Sequence, residues 1–194
     1  GVDNVNLQQY DAIIPLMSLP YIFKTDLTNI PTIKTPYITT TKKTLEIPKG
    51  TIGLFWYGSS HFQNDVNRSI PNEYINDFIG NNLNKQFVSL QLEGLDGIDE
   101  FTNIINAKLH MKSIGDTINI INQCDIVITV DSMMAHLSAG VGKPTWVLQS
   151  KSCDWRWGKD AKTSMWYPTV TNFRQSTLGD WVSVLDSVTK ELQK

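Results

Sequence analysis

From residue 51 onward, apolar and polar positions fall into blocks that read alternately as strands and helices. Residues 52–57, 87–92, 109–114, 126–130 and 145–148 are short runs of β-branched, leucine or aromatic side chains. Ile126, Val127, Ile128 and Val130 form a nearly unbroken β-branched run, as a parallel strand covered on both faces requires. Between these runs the spacing predicts helices. Pro71 opens one that reaches Ile79 and stops before Gly80. Residues 100–107 are weakly helical, and Asp116 caps a helix reaching Gln123. Asp131 stands where the N-cap of a further helix belongs, with the Ser132 hydroxyl in its first turn. Residues 167–173 read as extended, and Trp181, Val184, Leu185, Val188 and Leu192 share one face of a closing helix. Strands alternating with helices imply an α/β class, a doubly wound and mostly parallel sheet.

The first 48 residues differ. They are rich in threonine, carry Pro15, Pro20, Pro31, Pro36 and Pro48, and show no sustained periodicity. The expected organisation is an extended lead-in or interdomain segment over residues 1–48 and one α/β domain over residues 49–194. Thr39, Thr40, Thr41 and Thr44 with Lys42 and Lys43 read as a solvated linker within the lead-in. The apolar stretch 12–23 is broken by Pro15 and Pro20, is too short to span a bilayer and lacks a basic flank. A cytoplasmic protein is expected. Gly1 reads as a tag remnant and the start at Val2 as that of a fragment.

A chain of 194 residues can bury one sizeable core but not two full α/β domains. A net charge of -2 argues against a general nucleic-acid binder, whose affinity rests on clustered Lys and Arg. The two cysteines, Cys124 and Cys153, fit neither a metal spacing nor a disulfide framework, so a reducing compartment is expected.

In such sheets ligands sit outside the carboxyl ends of the strands, at a reversal of strand order. Three strand ends carry suggestive chemistry. Gly58 and Ser59, followed by Ser60 and His61, offer close backbone approach and donors. Gln91, after Ser89 and Leu90, offers an amide that can read a base or ribose edge. Asp131 and Ser132 mark a helix N-terminus that favours phosphate, with His136 one turn further on. The alternative is ordinary strand–helix–strand punctuation, with Asp131 a simple cap and His136 a satisfied core residue. No Walker lysine motif, G-x-G-x-x-G, G-x-S-x-G elbow or Asp-x-Asp metal motif is present, which disfavours NTP hydrolysis, dinucleotide binding and serine hydrolysis.

The segment Val130-Asp-Ser-Met-Met-Ala-His-Leu-Ser-Ala-Gly-Val-Gly-Lys-Pro-Thr-Trp-Val-Leu148 resembles the donor-site motif of heptosyltransferase-like and O-linked N-acetylglucosamine-transferase-like glycosyltransferases. It is most similar to the C-terminal region of bacterial tetratricopeptide-repeat proteins of that kind. Asp154-Trp-Arg-Trp157, Trp166-Tyr-Pro-Thr169, Phe173-Arg-Gln175 and Gly179-Asp-Trp181 match the same pattern. So do Gly53-Leu-Phe-Trp-Tyr-Gly58, Asn64-Asp65, Arg68-Ser-Ile-Pro71 and, upstream, Pro15-Leu-Met-Ser-Leu-Pro20 and Ile30-Pro31. The resemblance implies the Rossmann-like C-terminal half of a GT-B fold, binding a nucleotide diphosphate sugar without a metal or other cofactor. It implies phosphate contacts from Gly58, Ser59, Asp131, Ser132 and His136, a cation near the diphosphate at Arg68, and a nucleoside contact at Gln91. The acceptor, protein or saccharide, is left open, and no catalytic residue is implied, because the base in this fold class comes from the other half. An N-terminal GT-B domain or a tetratricopeptide region in a longer parent is the implied partner, with no nucleic acid and no membrane span.

The chain departs from the family pattern at charged positions. Phe62 stands where a His is common, with His61 displaced by one; Val66 replaces an Arg and Leu92 a Lys. Ala161 and Thr163 stand for an Arg and an Asp, with Lys162 placed to substitute for the first. A charge-assisted hydrogen bond is worth about 1.5–3 kcal/mol, so binding can outlast catalysis. Three functions follow: a metal-independent glycosyltransferase, a catalytically decayed module that binds sugar or a partner, and a nucleotide-sugar epimerase on the same fold. Trp155, Trp157, Trp166 and Tyr167 either stack on a sugar or base or pin a long loop, with Arg156 as a cation–π partner.

Overall fold

The computed structural model describes residues 6–31, 34–159 and 161–194. The readings of Gly1 and Val2 lie outside the described residues. The chain divides into two compact units, Gly1–Thr32 and Ile33–Lys194.

The first unit holds 3-10 turns at Leu7–Gln9 and Leu16–Ser18 and one helical turn, Leu19–Ile22 (α1), with Pro20 near its start. Its apolar side chains, among them Leu16, Met17, Tyr21 and Phe23, are exposed. Among the described residues no helix is long and apolar enough to cross a membrane.

The second unit is a three-layer α/β/α sandwich. Its strands are Thr51–Phe55 (β1), Gln86–Ser89 (β2), Ile104–Asn106 (β3), Ile126–Val130 (β4), Thr145–Gln149 (β5) and Val170–Arg174 (β6). Its helices are Asp65–Arg68 (α2), Asn72–Gly80 (α3), Ile114–Gln123 (α4), Met133–Val141 (α5) and Trp181–Leu192 (α6). All six strands are parallel, in the order β3-β2-β1-β4-β5-β6. This is the doubly wound arrangement expected from the alternating pattern. Strand order reverses at β1, which pairs with β2 on one side and β4 on the other.

Each face of the sheet is sealed by its own pair of helices. Ile52, Leu54, Phe87, Ile128 and Val130 point to α3 and α6, whose Ile75, Phe78, Trp181, Val184 and Val188 are buried there. Val88, Leu90 and Val127 point to α4 and α5, meeting Ile118, Ile121, Met134 and Leu137. Burial of each such side chain contributes about 1.5–3 kcal/mol. Helix α5 is made of small residues for a reason. Tyr37 and Ile38 donate their backbone N–H groups to the Gly140 carbonyl, and a Cβ on Gly140 would lie 2.6 Å from the Ile38 side chain. A larger residue there would push the Ile38 and Tyr37 side chains off the helix.

Several local expectations are corrected. The helix expected over residues 100–107 is instead a 3-10 turn at Ile98–Glu100 followed by edge strand β3. The strand expected over residues 109–114 is a 3-10 turn, Lys108–His110, that leaves Leu109 exposed. The caps shift as well. Ser113, not Asp116, caps α4, and Asp116 takes the reciprocal position, accepting the Ser113 hydroxyl at 2.7 Å. Ser132, not Asp131, caps α5, its Oγ accepting the Met134 N–H at 3.1 Å. Pro71 is the N-cap of α3 rather than its first residue. The threonine- and lysine-rich stretch is solvated as expected at Thr39, Thr41, Lys42 and Lys43, but it is no free linker: Lys42 reaches Ser113 and Asp116, Thr44 bonds Asn119, and Gln123 bonds the Leu45 and Ile47 backbone.

Candidate functional site

The reversal of strand order at β1 opens a crevice between the carboxyl ends of β1 and β4. From β1 the chain enters Tyr57-Gly58-Ser59; from β4 it enters Asp131-Ser132 and α5. The Ser132 cap leaves α5 pointing its N-terminal end and partial positive charge into this crevice.

Arg68 ties the two strand ends together. Its guanidinium donates to the Asp131 carbonyl at 3.2 Å and the Ser59 carbonyl at 3.4 Å, so it spans the crevice. It is held there by Asp65, three residues earlier on α2, whose Oδ1 accepts from both Nε and Nη2. The other Asp65 oxygen accepts the Ser69 hydroxyl at 2.9 Å, and Ser69 Oγ in turn accepts the Gly58 N–H at 2.9 Å. Phe62 lies against the guanidinium, 4.5 Å from ring centroid to carbon. A Cβ on Gly58 would lie 2.1 Å from Arg68 Nη2, so any larger residue there would push the guanidinium out of this position. Asp65 is thus the buried hub of the loop after β1, a role the sequence reading missed. The Asp65–Arg68 spacing of i,i+3 on a helix is the signal that would have found it.

Gln91 is buried beside this loop, and its amide is fully engaged with backbone. Oε1 accepts the Trp56 and Tyr57 N–H groups at 2.9 Å each, while Nε2 donates to the Tyr57 and Glu93 carbonyls. It shapes the end of β1. In front of it lies a cavity of about 340 Å³ walled by Phe55, Leu90, Leu92, Met111, Met133 and Met134, with Gly58, Ser59, His61 and Glu93 at its polar side. The methionines of this wall were not foreseen. A second, smaller cavity of about 200 Å³ lies across the β4 and β5 ends, lined by Arg68, Asp131, Ser150, Ser152, Cys153 and Asp154. Gly58, Ser59, Arg68, Asp131 and Gln91 therefore line one or other of two cavities that share the crevice.

His136 sits one turn into α5 and lines neither cavity. Its ring stacks on the buried Trp157, with centroids 5.4 Å apart, and its Nδ1 lies 2.9 Å from the Tyr167 hydroxyl. Burial holds its pKa below the usual histidine value, opposed by nearby Asp131, deepened by Arg156 and opposed again by Asp154. Burial also raises the Tyr167 phenol, helped by the Tyr37 hydroxyl. Trp157 and Tyr167 thus pin the loop after β5, whereas Trp155 is exposed with the Arg156 guanidinium 5.5 Å from its ring centre. The same loop is fastened from below. Arg174 bonds Gln149 and the Gly158 carbonyl, and Asn172 donates to the Trp157 and Ala161 carbonyls.

Of the positions that depart from the resembled pattern, Leu92 lines the larger cavity and Phe62 the smaller, each about half exposed, whereas Val66 is 84 % exposed and lines neither. Among the described residues, no three His, Cys, Asp or Glu side chains converge to hold a metal ion.

No family model and no curated protein sequence matches the chain. Solved structures do. An Escherichia coli heptosyltransferase, WaaC, with ADP, superposes with a TM-score of 0.57 at 13 % identity, over 75 % of this chain and 44 % of that one. The E. coli ADP-heptose LPS heptosyltransferase II superposes with a TM-score of 0.54 at 14 % identity, over 77 % of this chain and 48 % of that one. The chain spans less than half the length of the structures it matches. Its Rossmann-like α/β fold is the one found within these GT-B glycosyltransferases.

Proposed function

We propose that this chain is the nucleotide-sugar-binding half of a GT-B glycosyltransferase, which holds a nucleotide diphosphate sugar at the β1/β4 strand ends for transfer to a protein or saccharide acceptor. The observation that carries this reading is the crevice itself: a reversal of strand order flanked by Gly58-Ser59 on one side and the Ser132-capped start of α5 on the other. The nucleoside lies in the methionine-walled cavity, against the backbone that Gln91 fixes. The diphosphate lies toward Gly58, Ser59, Asp131 and Ser132, with Arg68 bracing the floor and His136 one turn behind. Helix dipole and backbone donors take the place of a metal. ADP in the WaaC structure supports a nucleoside diphosphate as the ligand class. The acceptor-binding half and the catalytic base belong to an N-terminal GT-B domain in a longer parent, which a tetratricopeptide region can extend.

Calorimetric titration with UDP, ADP and GDP, with and without magnesium, tests this reading. Saturable binding of one of them, unchanged by magnesium, is the expected result; silence from all three on a folded sample refutes it. One observation favours a second reading, a module that keeps binding without turnover: the guanidinium at the crevice is already neutralised by Asp65.

A further inference from the structure

The diphosphate seat holds little usable positive charge. Among the described residues, the methionine-walled cavity is lined by no Lys or Arg, and the cavity beside it by Arg68 as its one cationic side chain. Arg68 shares both Nε and Nη2 with the buried Asp65 carboxylate and gives further N–H groups to the Ser59 and Asp131 carbonyls. An arginine doubly bonded to a carboxylate presents a nearly neutral pair to a third group. Arg156, the next arginine along, is bonded to Asp154 at 2.7 Å. Asp131 also lines the cavity around Arg68, so an incoming dianion meets its carboxylate there as well as the nearly neutral Arg156–Asp154 pair. The start of α5 contributes at most about half a positive charge, next to Asp131. By contrast the nucleoside side is well built. Its volume of about 340 Å³ falls within the ~300–1,000 Å³ usual for small-molecule sites. Met111, Met133 and Met134 supply a polarizable wall for an aromatic base.

We propose that Asp65 is a specificity-determining residue: by silencing Arg68 it makes the cleft a reader of the nucleoside that is nearly indifferent to the phosphates attached to it. This rests on the donor-binding reading above. An available arginine would favour a nucleoside diphosphate over its nucleoside by about tenfold or more. Here the two should bind within about threefold of one another.

The test titrates adenosine against ADP, uridine against UDP and guanosine against GDP on the full chain. For the base that binds, near-equal affinities support the proposal; a diphosphate preference beyond tenfold overturns it while leaving the donor site intact. Silence from all six ligands removes the donor site and the proposal together. Two variants sharpen the result. Asp65→Asn keeps the shape and frees the guanidinium, and should raise the diphosphate preference about tenfold. Arg68→Gln alone would leave the Asp65 carboxylate unpaired, so the control is the double variant Asp65→Asn/Arg68→Gln, which removes both charges and should keep the parent ratio; a ratio raised as in Asp65→Asn alone would show that the gain does not come from the freed guanidinium and would overturn the proposal. Should the variants fail to fold, the ratio measured on the parent chain decides the matter.

Discussion

His136 shows how one side chain fastens helix α5 to the loop after β5. Its ring is stacked on Trp157 and bonded to Tyr167, and burial lowers its pKa below the ordinary 6.5. The unfolded chain takes up a proton near 6.5, whereas the folded chain does so only at lower pH. Proton uptake therefore favours the unfolded state. Stability is fully present above that value and is lost as the pH falls through the lowered pKa. Urea unfolding at pH 7.5 and pH 5 should show this loss, and His136→Gln, which cannot titrate, should flatten it. An unchanged slope in the variant would mean that His136 titrates alike in both states. Little of this was legible in the sequence. The position of His136 one turn after Ser132 was readable, but its partners lie 21 and 31 residues away on a loop whose path no periodicity describes.

At the level of elements, the long runs were readable and the short or exposed ones were not. Strand β4 is β-branched and buried along most of its length, so pattern and structure agree. Strand β3 has three residues, none of them buried, at the sheet edge, and offers no pattern to read. Leu109 and Ile114 imitate a strand in sequence, yet both are exposed, because apolar residues also occur on surfaces. The cap of α5 was misplaced by one because Asp131 and Ser132 are both good N-caps, and only the backbone decides between them. Ser132 is extended, at φ −156°, and its hydroxyl receives the Met134 N–H. Replacement Ser132→Ala should therefore cost about 1 kcal/mol, whereas Asp131→Ala, which removes no capping bond, should cost clearly less. Denaturant midpoints of the two variants make the comparison. Equal losses would mean that the Asp131 carboxylate stabilises the helix start through its charge as much as Ser132 does through its hydrogen bond.

For the whole molecule, alternation of strands and helices gave the class, but the strand order followed from packing. Nothing in a linear pattern says that β4 returns to pair with β1, and that pairing creates the crevice and joins Arg68 on one loop to Asp131 on another. The same packing bears on autonomy. The buried clusters on both sheet faces are built from residues of the second unit, from Ile38 and Leu45 on the approach to β1 through to Val188 and Leu192 on α6. The segment from Lys42 to Ile47 is bonded along α4, so it belongs with that core. The first unit instead presents Leu16, Met17 and Tyr21 at 77 %, 87 % and 89 % exposure. A chain comprising residues 34–194 should therefore unfold in one cooperative transition with the midpoint of the full chain. It should also associate less, because a contiguous exposed apolar stretch promotes association. Calorimetry read beside light scattering checks both halves of the expectation. A broad, non-cooperative transition in the shorter chain would show that residues before 34 take part in the core. A matched midpoint with unchanged association would instead move the sticky surface to exposed apolar side chains of the second unit such as Phe62, Val66 and Leu92.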